Sequence, residues 1–240
     1  MIRLGVIPAT LSDQVVPLAD GMEGVLERWQ ARPGEILTMV DPHGGCYRAR
    51  LLPNLRQAVV FESLPATIEP SVPRRLCPAL PDRERMLLIL QKAVELGATD
   101  IIPLKTEHSS ATGGPRHGQD KSSTWGKTLL KATRQCRRAK IPGLHSPQSL
   151  PQYLSTEFIG KQAFLDCRAS PIPLFHWYHD YRHHPLAILS GPEGGWSDNE
   201  RELMMRHSVT PVSLGSRLLR TETAAIAALA VVAMLDSTFT

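Results

Sequence analysis

The apolar residues of this chain change their period near residue 70, and that change limits the architecture more than any single motif. Up to that point they come in short β-like runs: EILTMV (residues 35–40), CYRARLL (46–52) and AVVFESL (58–64). Turn residues separate them, DPHGG being the clearest hairpin signal. Short strands of this kind suit a small barrel. PATIEPSVPRRLCPALPD has no helical period and reads as a linker followed by a short strand around Leu76. From Asp82 onward Met86, Ile89, Leu90, Ala93, Val94 and Leu96 fall at helical spacing, and Gly97 is a natural C-cap. DIIPL predicts a buried strand, and STWGKTLLKATRQCRRAKIP a second helix with Leu129, Ala132 and Cys136 on one side. Strand and helix then alternate through AFLDC, a His-rich segment and PLAILSG. Such alternation implies a mostly parallel sheet with helices packed on it. The expected division is residues 1–71, a small β domain, and 72–240, an α/β domain.

Composition narrows the class. At 240 residues the chain is long enough to bury a real core, and 42% hydrophobic with 21% charged residues is ordinary for a globular protein. The longest apolar run, AAIAALAVVAML, is too short to span a bilayer and suits a buried helix. MIRLGVIPATLSDQ lacks a signal-peptide core, so a cytoplasmic location is expected, with no membrane partner. Cys46, Cys77, Cys136 and Cys167 are far apart and form no CxxC pair, which argues against a zinc site or a disulfide framework. Net charge is +4, and the excess is uneven. Lys105, Arg116, Lys121, Lys127, Lys131, Arg134, Arg137, Arg138 and Lys140 face only Glu107 and Asp120 in the same segment. That segment is either a solvated helix face or a surface for phosphates.

LSGPEGGWSDNE (residues 189–200) concentrates the chemistry. An apolar strand runs into a glycine loop, and Ser197 with Glu200 forms a capping box that starts a helix. Gly191, Gly194 and Gly195 lack Cβ atoms, so their backbone can lie directly against a ligand. Loops at the carboxyl ends of parallel strands are where α/β sheets bind small molecules. PVSLG (211–215) repeats the logic: a strand ends in glycine, SRLLR follows, and Thr221 is expected to cap the last helix with Glu222 in its first turn. Two such loops can form the two sides of one cleft. The chain contains no GxGxxG, GxxxxGK[ST] or GxSxG, so dinucleotide, P-loop and nucleophile-elbow chemistry lose their support.

GPEGGW and LGSRLLRTETAA, with QKAVELGATDIIPLKTEHS and QCRRAKIP upstream, together resemble the RsmE family. These are SPOUT-class methyltransferases acting on uridine N3 of small-subunit (16S) ribosomal RNA. The resemblance covers residues 75–240 strongly and the N-terminal part more loosely, through ARPGEIL and the strands after it. It implies an N-terminal PUA-like β-barrel, a parallel-sheet domain whose C-terminal part is threaded into a trefoil knot, S-adenosyl-L-methionine as cofactor, and a homodimer. Carried over by motif, cofactor contacts fall on Leu189, Gly191 and Gly195, and on Leu214, Gly215, Leu219 and Arg220. Ribosomal RNA or the small ribosomal subunit would meet the barrel together with Arg85, Arg137, Arg138, Lys140 and Arg217.

For the chemistry, Glu193 is the candidate carboxylate near the methyl or the base; otherwise it accepts hydrogen bonds from loop amides. Arg220 is the candidate to stabilise charge on the uracil, or else it pairs with Glu222 or Glu193. Glu222 reads as a helix-terminus residue and Trp196 as a cap on the core edge. Several positions depart from the family pattern: Arg85 stands where a lysine is expected, Arg134 where a glutamate precedes Gln135, and Glu27 where a basic residue would help RNA docking. His176, His179 and His183 share a helical spacing, but a solvated surface is the expected reading and no metal is expected. Two other functions remain open: a methyltransferase of the same class acting on another RNA atom (a ribose 2′-OH, or tRNA), and a non-catalytic RNA-binding ribosome-assembly protein.

Overall fold

The computed structural model describes residues 1–10, 13–65, 68–109, 124–168 and 172–238. Arg116, Asp120 and Lys121 of the basic run lie outside them. The chain forms two compact units, one of Met1–Glu69 with Leu130–Ile141, the other of Pro70–Leu129 with Pro142–Thr240.

The first unit contains β1 (Ile2–Arg3), β2 (Gln14–Pro17), α1 (Glu23–Arg28), β3 (Ile36–Val40), β4 (Cys46–Leu51) and β5 (Gln57–Leu64). They form one sheet in the order β1-β3-β4-β5-β2, parallel only between β1 and β3. The two edge strands meet beyond their ends. Leu4 bridges Leu18, the Gly5 amide donates to the Pro17 carbonyl at 2.8 Å, and the Ala19 amide donates to that of Arg3 at 2.9 Å. The sheet therefore curls around Leu37, Met39, Ala49, Leu51, Ala58 and Val60, with Trp29 inside the same cluster. The hairpin expected at DPHGG joins β3 and β4, and the Asp41 carboxylate holds it by accepting from the amides of His43 and Gly45, both at 2.8 Å.

Residues 130–141 join this unit, which the division at residue 71 does not anticipate. Arg134, the departure from the family pattern, donates to the Trp29 carbonyl and pairs with Glu35 at 2.8 Å. Arg138 pairs with Glu69 at 2.8 Å, and Glu69 also accepts from the amides of Ala139 and Lys140. These partners lie 69 to 105 positions away in sequence, so no local pattern announces them.

The second unit contains β6 (Arg74–Pro78), α2 (Arg83–Glu95), β7 (Asp100–Ile101), β8 (Leu104–Lys105), the start of α3 (Trp125–Gln135), β9 (Gly143–Leu144), β10 (Gln148–Ser149) and α4 (Leu150–Ser155). It continues with β11 (Lys161–Leu165), β12 (Ile172–Pro173), α5 (Leu174–Tyr181), β13 (Leu186–Ser190), α6 (Asp198–Arg206), β14 (Thr210–Ser213) and α7 (Thr221–Thr238). Seven strands among the described residues form an all-parallel sheet in the order β12-β14-β11-β13-β6-β7-β9. Central β13 is buried at all five positions, as a strand covered on both faces must be. Its Leu189 faces a layer with Phe164, Leu154, Trp196 and Met204, whereas Leu186 and Ile188 face Trp177 of α5 and Ala228 and Val232 of α7.

Two expectations need correction. DIIPL is not one strand, because Pro103 has no amide to donate: β7 ends at Ile101, and Leu104 pairs instead with Ala79 and with Gln148. The last helix is not buried all round either, since Ala225, Ala228, Leu229, Val232 and Leu235 are buried whereas Met234 is 62% exposed. Asp236, near the end of this helix, binds Arg74 at the start of β6. Helix α7 therefore runs back along the strands, and its N-terminus lies at their carboxyl edge. Among the described residues, no helix is long and apolar enough to cross a membrane.

Candidate active site

Three segments leave the carboxyl edge of the seven-stranded sheet, and a fourth follows β8, which pairs with β10 in a separate two-stranded sheet. After β6 the chain runs through Asp82, whose carboxylate caps α2 by accepting from the Arg85 amide at 3.0 Å. After β8 come Thr106–Ser109, closed on themselves by a contact of 2.6 Å between the hydroxyls of Thr106 and Ser109. After β13 comes the glycine loop, and after β14 the turn into α7.

The glycine loop is fixed from both sides. Ser197 and Glu200 form the expected capping box, with Glu200 Oε2 accepting from the Ser197 amide at 3.0 Å. The other oxygen of Glu200 accepts from the Glu107 amide at 2.9 Å, so one buried carboxylate ties two loops together. His108 Nδ1 lies 3.0 Å from the Gly195 carbonyl. Trp196 is buried as the expected cap on the core edge, its indole N–H donating to the Leu165 carbonyl at 3.0 Å and its ring meeting Phe164 edge-on. Gly191 lies against that indole: a Cβ there would sit 3.0 Å from Trp196 Nε1. Gly195 has φ +73°, the left-handed region that glycine occupies without strain. In the second loop Gly215 has φ +109°, and the Ser213 hydroxyl accepts from its amide at 2.9 Å.

The expected site residues distribute unevenly. Gly191, Gly195, Gly215 and Leu219 lie on the two loops, all at the carboxyl edge. Leu189 is fully buried in the core, so its side chain meets no ligand, and Leu214 packs partly against the layer under α7. Arg220 and Arg217 are exposed, and neither pairs with a described carboxylate. The pairing considered for Arg220 falls to Arg85 instead. The Arg85 guanidinium meets Glu193 of the glycine loop, lies 3.7 Å from Glu222 of α7 and 3.4 Å from its own neighbour Asp82. Helix α2 packs beside α7, which carries Arg85 to both carboxylates. In the first unit, Arg137 and Lys140 are exposed, whereas Arg138 is buried on Glu69, a partner that occupies its guanidinium. Among the described residues no three His, Cys, Asp or Glu side chains gather as a metal site would require. His176, His179 and His183 are exposed, while Trp177 and Tyr178 of the same helix supply the core.

Thr221 also departs from expectation. The Arg220 carbonyl accepts the first helical bond, from Ala224 at 2.8 Å, so Thr221 is the first residue of the helix rather than its cap. Its buried hydroxyl has no hydrogen-bond partner, and neither do Ser190 Oγ or Glu222 Oε2. Ser190 is the last residue of β13 and shares a face with Leu186 and Ile188, the face toward α7. Three buried acceptors at one edge, unsatisfied by protein, call for a polar ligand. Reading the sequence for glycine loops missed Ser190 and took Thr221 and Glu222 for helix-terminus residues only; a serine closing the apolar strand LAILS was the available signal.

Comparison with known proteins identifies the group to which the chain is similar. A family model described as an RNA methyltransferase domain matches residues 69–233. A ribosomal RNA small subunit methyltransferase E from Synechocystis is 31% identical, over 98% of this chain and 78% of its own. The structure of a ribosomal RNA small subunit methyltransferase E from Neisseria gonorrhoeae bound to S-adenosyl methionine superposes with a TM-score of 0.67 at 27% identity, covering 98% of both chains. A putative methyltransferase from Legionella pneumophila in complex with the same cofactor gives 0.67 at 30% identity, again over 98% of both. Similarity runs over nearly the whole length of these structures, and the chain belongs to the ribosomal RNA small subunit methyltransferase E family of RNA methyltransferases.

Proposed function

We propose that this protein transfers a methyl group from S-adenosyl-L-methionine to N3 of a uridine in small-subunit (16S) ribosomal RNA. The observation that carries the cofactor assignment is the set of unsatisfied buried atoms, Ser190 Oγ, Thr221 Oγ1 and Glu222 Oε2, beside two glycine loops. A nucleoside that carries an amino acid through a sulfonium offers ammonium and hydroxyl donors to such acceptors, and glycine loops with bare backbone can lie against its base, so the residues present fit the group. Gly191, Gly195, Leu214, Gly215, Leu219 and Arg220 would hold it, mainly by main chain, with Leu189 setting the strand end. Bound there, the cofactor supplies an activated methyl group without any metal.

The chain's own residues then align and deprotonate. Alignment is the larger contribution, on the order of 7–11 kcal/mol, against roughly 10²–10⁴-fold for a general base. Glu222 directs its bare oxygen at the ligand, while the more exposed Glu193 is placed to take the N3 proton from an arriving base. Arg220, exposed at the start of α7, stabilises the negative charge that develops on the uracil carbonyls. RNA contacts fall to Arg217 in one unit and to Arg137 and Lys140 in the other, while Arg138 holds the first unit together.

The same reading extends to architecture. The curled sheet, closed by the Leu4–Leu18 bridge, supports a PUA-like RNA-binding barrel. The strand order, in which β13 and β14 flank β11, and the return of α7 across β6 and β13 support a trefoil knot. The uncovered apolar side of α7, with Met234 at 62% exposure, supports a homodimer. A cytoplasmic location follows from the substrate.

Methyl transfer from labelled cofactor to small subunits from a strain lacking the gene, followed by mass mapping of the product, tests the proposal. A single methylated uracil supports it. Label on a ribose or on tRNA transfers the assignment to another RNA atom, and absence of cofactor binding at millimolar concentration leaves an RNA-binding assembly protein.

A further inference from the structure

We infer that Arg85 is a positioning residue of the cofactor site, a clip between its two walls, rather than a contact for RNA. The inference rests on the proposed cofactor-dependent function. Arg85 lies at the start of α2, on neither glycine loop, yet its guanidinium joins carboxylates from both sides of the cleft: Glu193 of the loop after β13 and Glu222 in the first turn of α7. Asp82, the cap of the same helix, lies 3.4 Å from its Nε and holds the side chain from below. No other described residue joins Glu193 to Glu222.

Two carboxylates brought to one place repel each other unless a cation stands between them. Without that cation Glu193 would swing away and take the glycine loop with it. With it, the loop stays against α7, and Glu222 is held by charge alone. Its Oε2 is 3.7 Å from Arg85 Nε, too far for a hydrogen bond, and is buried with no other partner. Arg85 thus orients the acceptor without using it up. The guanidinium is one-third exposed and faces three carboxylates, which makes it a poorer phosphate ligand than Arg137, more than half exposed and paired, among the described residues, with Glu62 alone.

The test uses the full chain and S-adenosylhomocysteine, the product, which has lost the sulfonium charge and is a zwitterion of zero net charge, so that removing a positive charge from the protein does not by itself favour binding. Arg85→Gln is expected to weaken its binding about tenfold by calorimetry and to raise the KM for the methyl donor, and, because Glu193 moves with the loop, to lower kcat for RNA methylation as well. Arg85→Lys, which keeps a cation between the carboxylates, is expected to restore most of the affinity. Arg85→Gln combined with Glu193→Gln should be no worse than Arg85→Gln alone. RNA affinity and its salt dependence should stay at the wild-type level; an RNA contact would instead lower the salt slope by about one. Unchanged product affinity in Arg85→Gln with a wild-type melting temperature overturns the inference, and so does a loss confined to RNA binding. Failure of the wild-type protein to bind the product overturns the functional reading, and this inference with it. Glu193→Gln alone, which leaves α2 intact, repeats the test if Arg85→Gln does not fold.

Discussion

Arg74 and Asp236 stand 162 positions apart and meet at 2.8 Å, joining the first residue of the central β6 to the end of the last helix. The guanidinium also donates to the carbonyls of His184 and Arg182, and the Tyr178 hydroxyl donates to the same Asp236. One cluster therefore fixes the far end of α7, whose near end forms part of the candidate site.

Arg74 is almost wholly buried, so replacing Asp236 leaves an uncompensated charge. Asp236→Asn is expected to cost about 3 kcal/mol. For a chain of this size that is a fall in melting temperature of roughly 6–12 °C. Calorimetric melting checks it, and a fall below about 2 °C would show that solvent reaches the pair.

Glu200 serves two loops, and its replacements should separate those roles. Ser197→Ala removes one capping bond and is expected to cost about 1 kcal/mol, with cofactor affinity nearly intact. Glu200→Ala also removes the acceptor of the Glu107 amide, leaving two backbone donors without their partner. It should destabilise by about twice as much and loosen the residues around His108, read as faster amide exchange at Glu107.

Gly191→Ala places a methyl group against the Trp196 indole. That ring is held by the Leu165 carbonyl and by Phe164, so it yields poorly, and a cost of about 1–3 kcal/mol is expected. Tryptophan fluorescence should shift, and binding of S-adenosylmethionine should weaken more than tenfold. An unaltered binding isotherm would mean that the loop backbone does not line the ligand.

Burial pushes the Cys77 thiol up to about 12 from an ordinary 9.0. The unfolded chain ionises first, so above pH 9 the folded state binds more protons and stability falls with rising pH. The stability this thiol contributes is complete below pH 9 and is lost progressively toward pH 12. Cys77→Ala should flatten the alkaline limb of a denaturant series. In the native protein at pH 8 a thiol reagent should modify exposed Cys167 and leave Cys77 untouched until the chain unfolds.

Local pattern carried most of the element list because local physics decides it. The period of Met86, Ile89, Leu90, Ala93 and Val94 marked α2, and the Ser197–Glu200 box marked the start of α6; both depend on neighbours within four residues. Gly195 and Gly215 were legible for the same reason, their positive φ being a property of the local turn. Spatial convergence was not legible. Arg85 and Arg138 looked like RNA contacts and Glu222 like a helix-end residue, yet ion pairs formed across the fold fixed the surroundings of all three. Sequence by itself determined which segments are strands, helices and glycine turns, since each follows from periodicity and capping. Tertiary structure alone decided which charges neutralise one another and which buried oxygens await a ligand, because Coulomb and hydrogen-bond energies depend on distance in space and not along the chain.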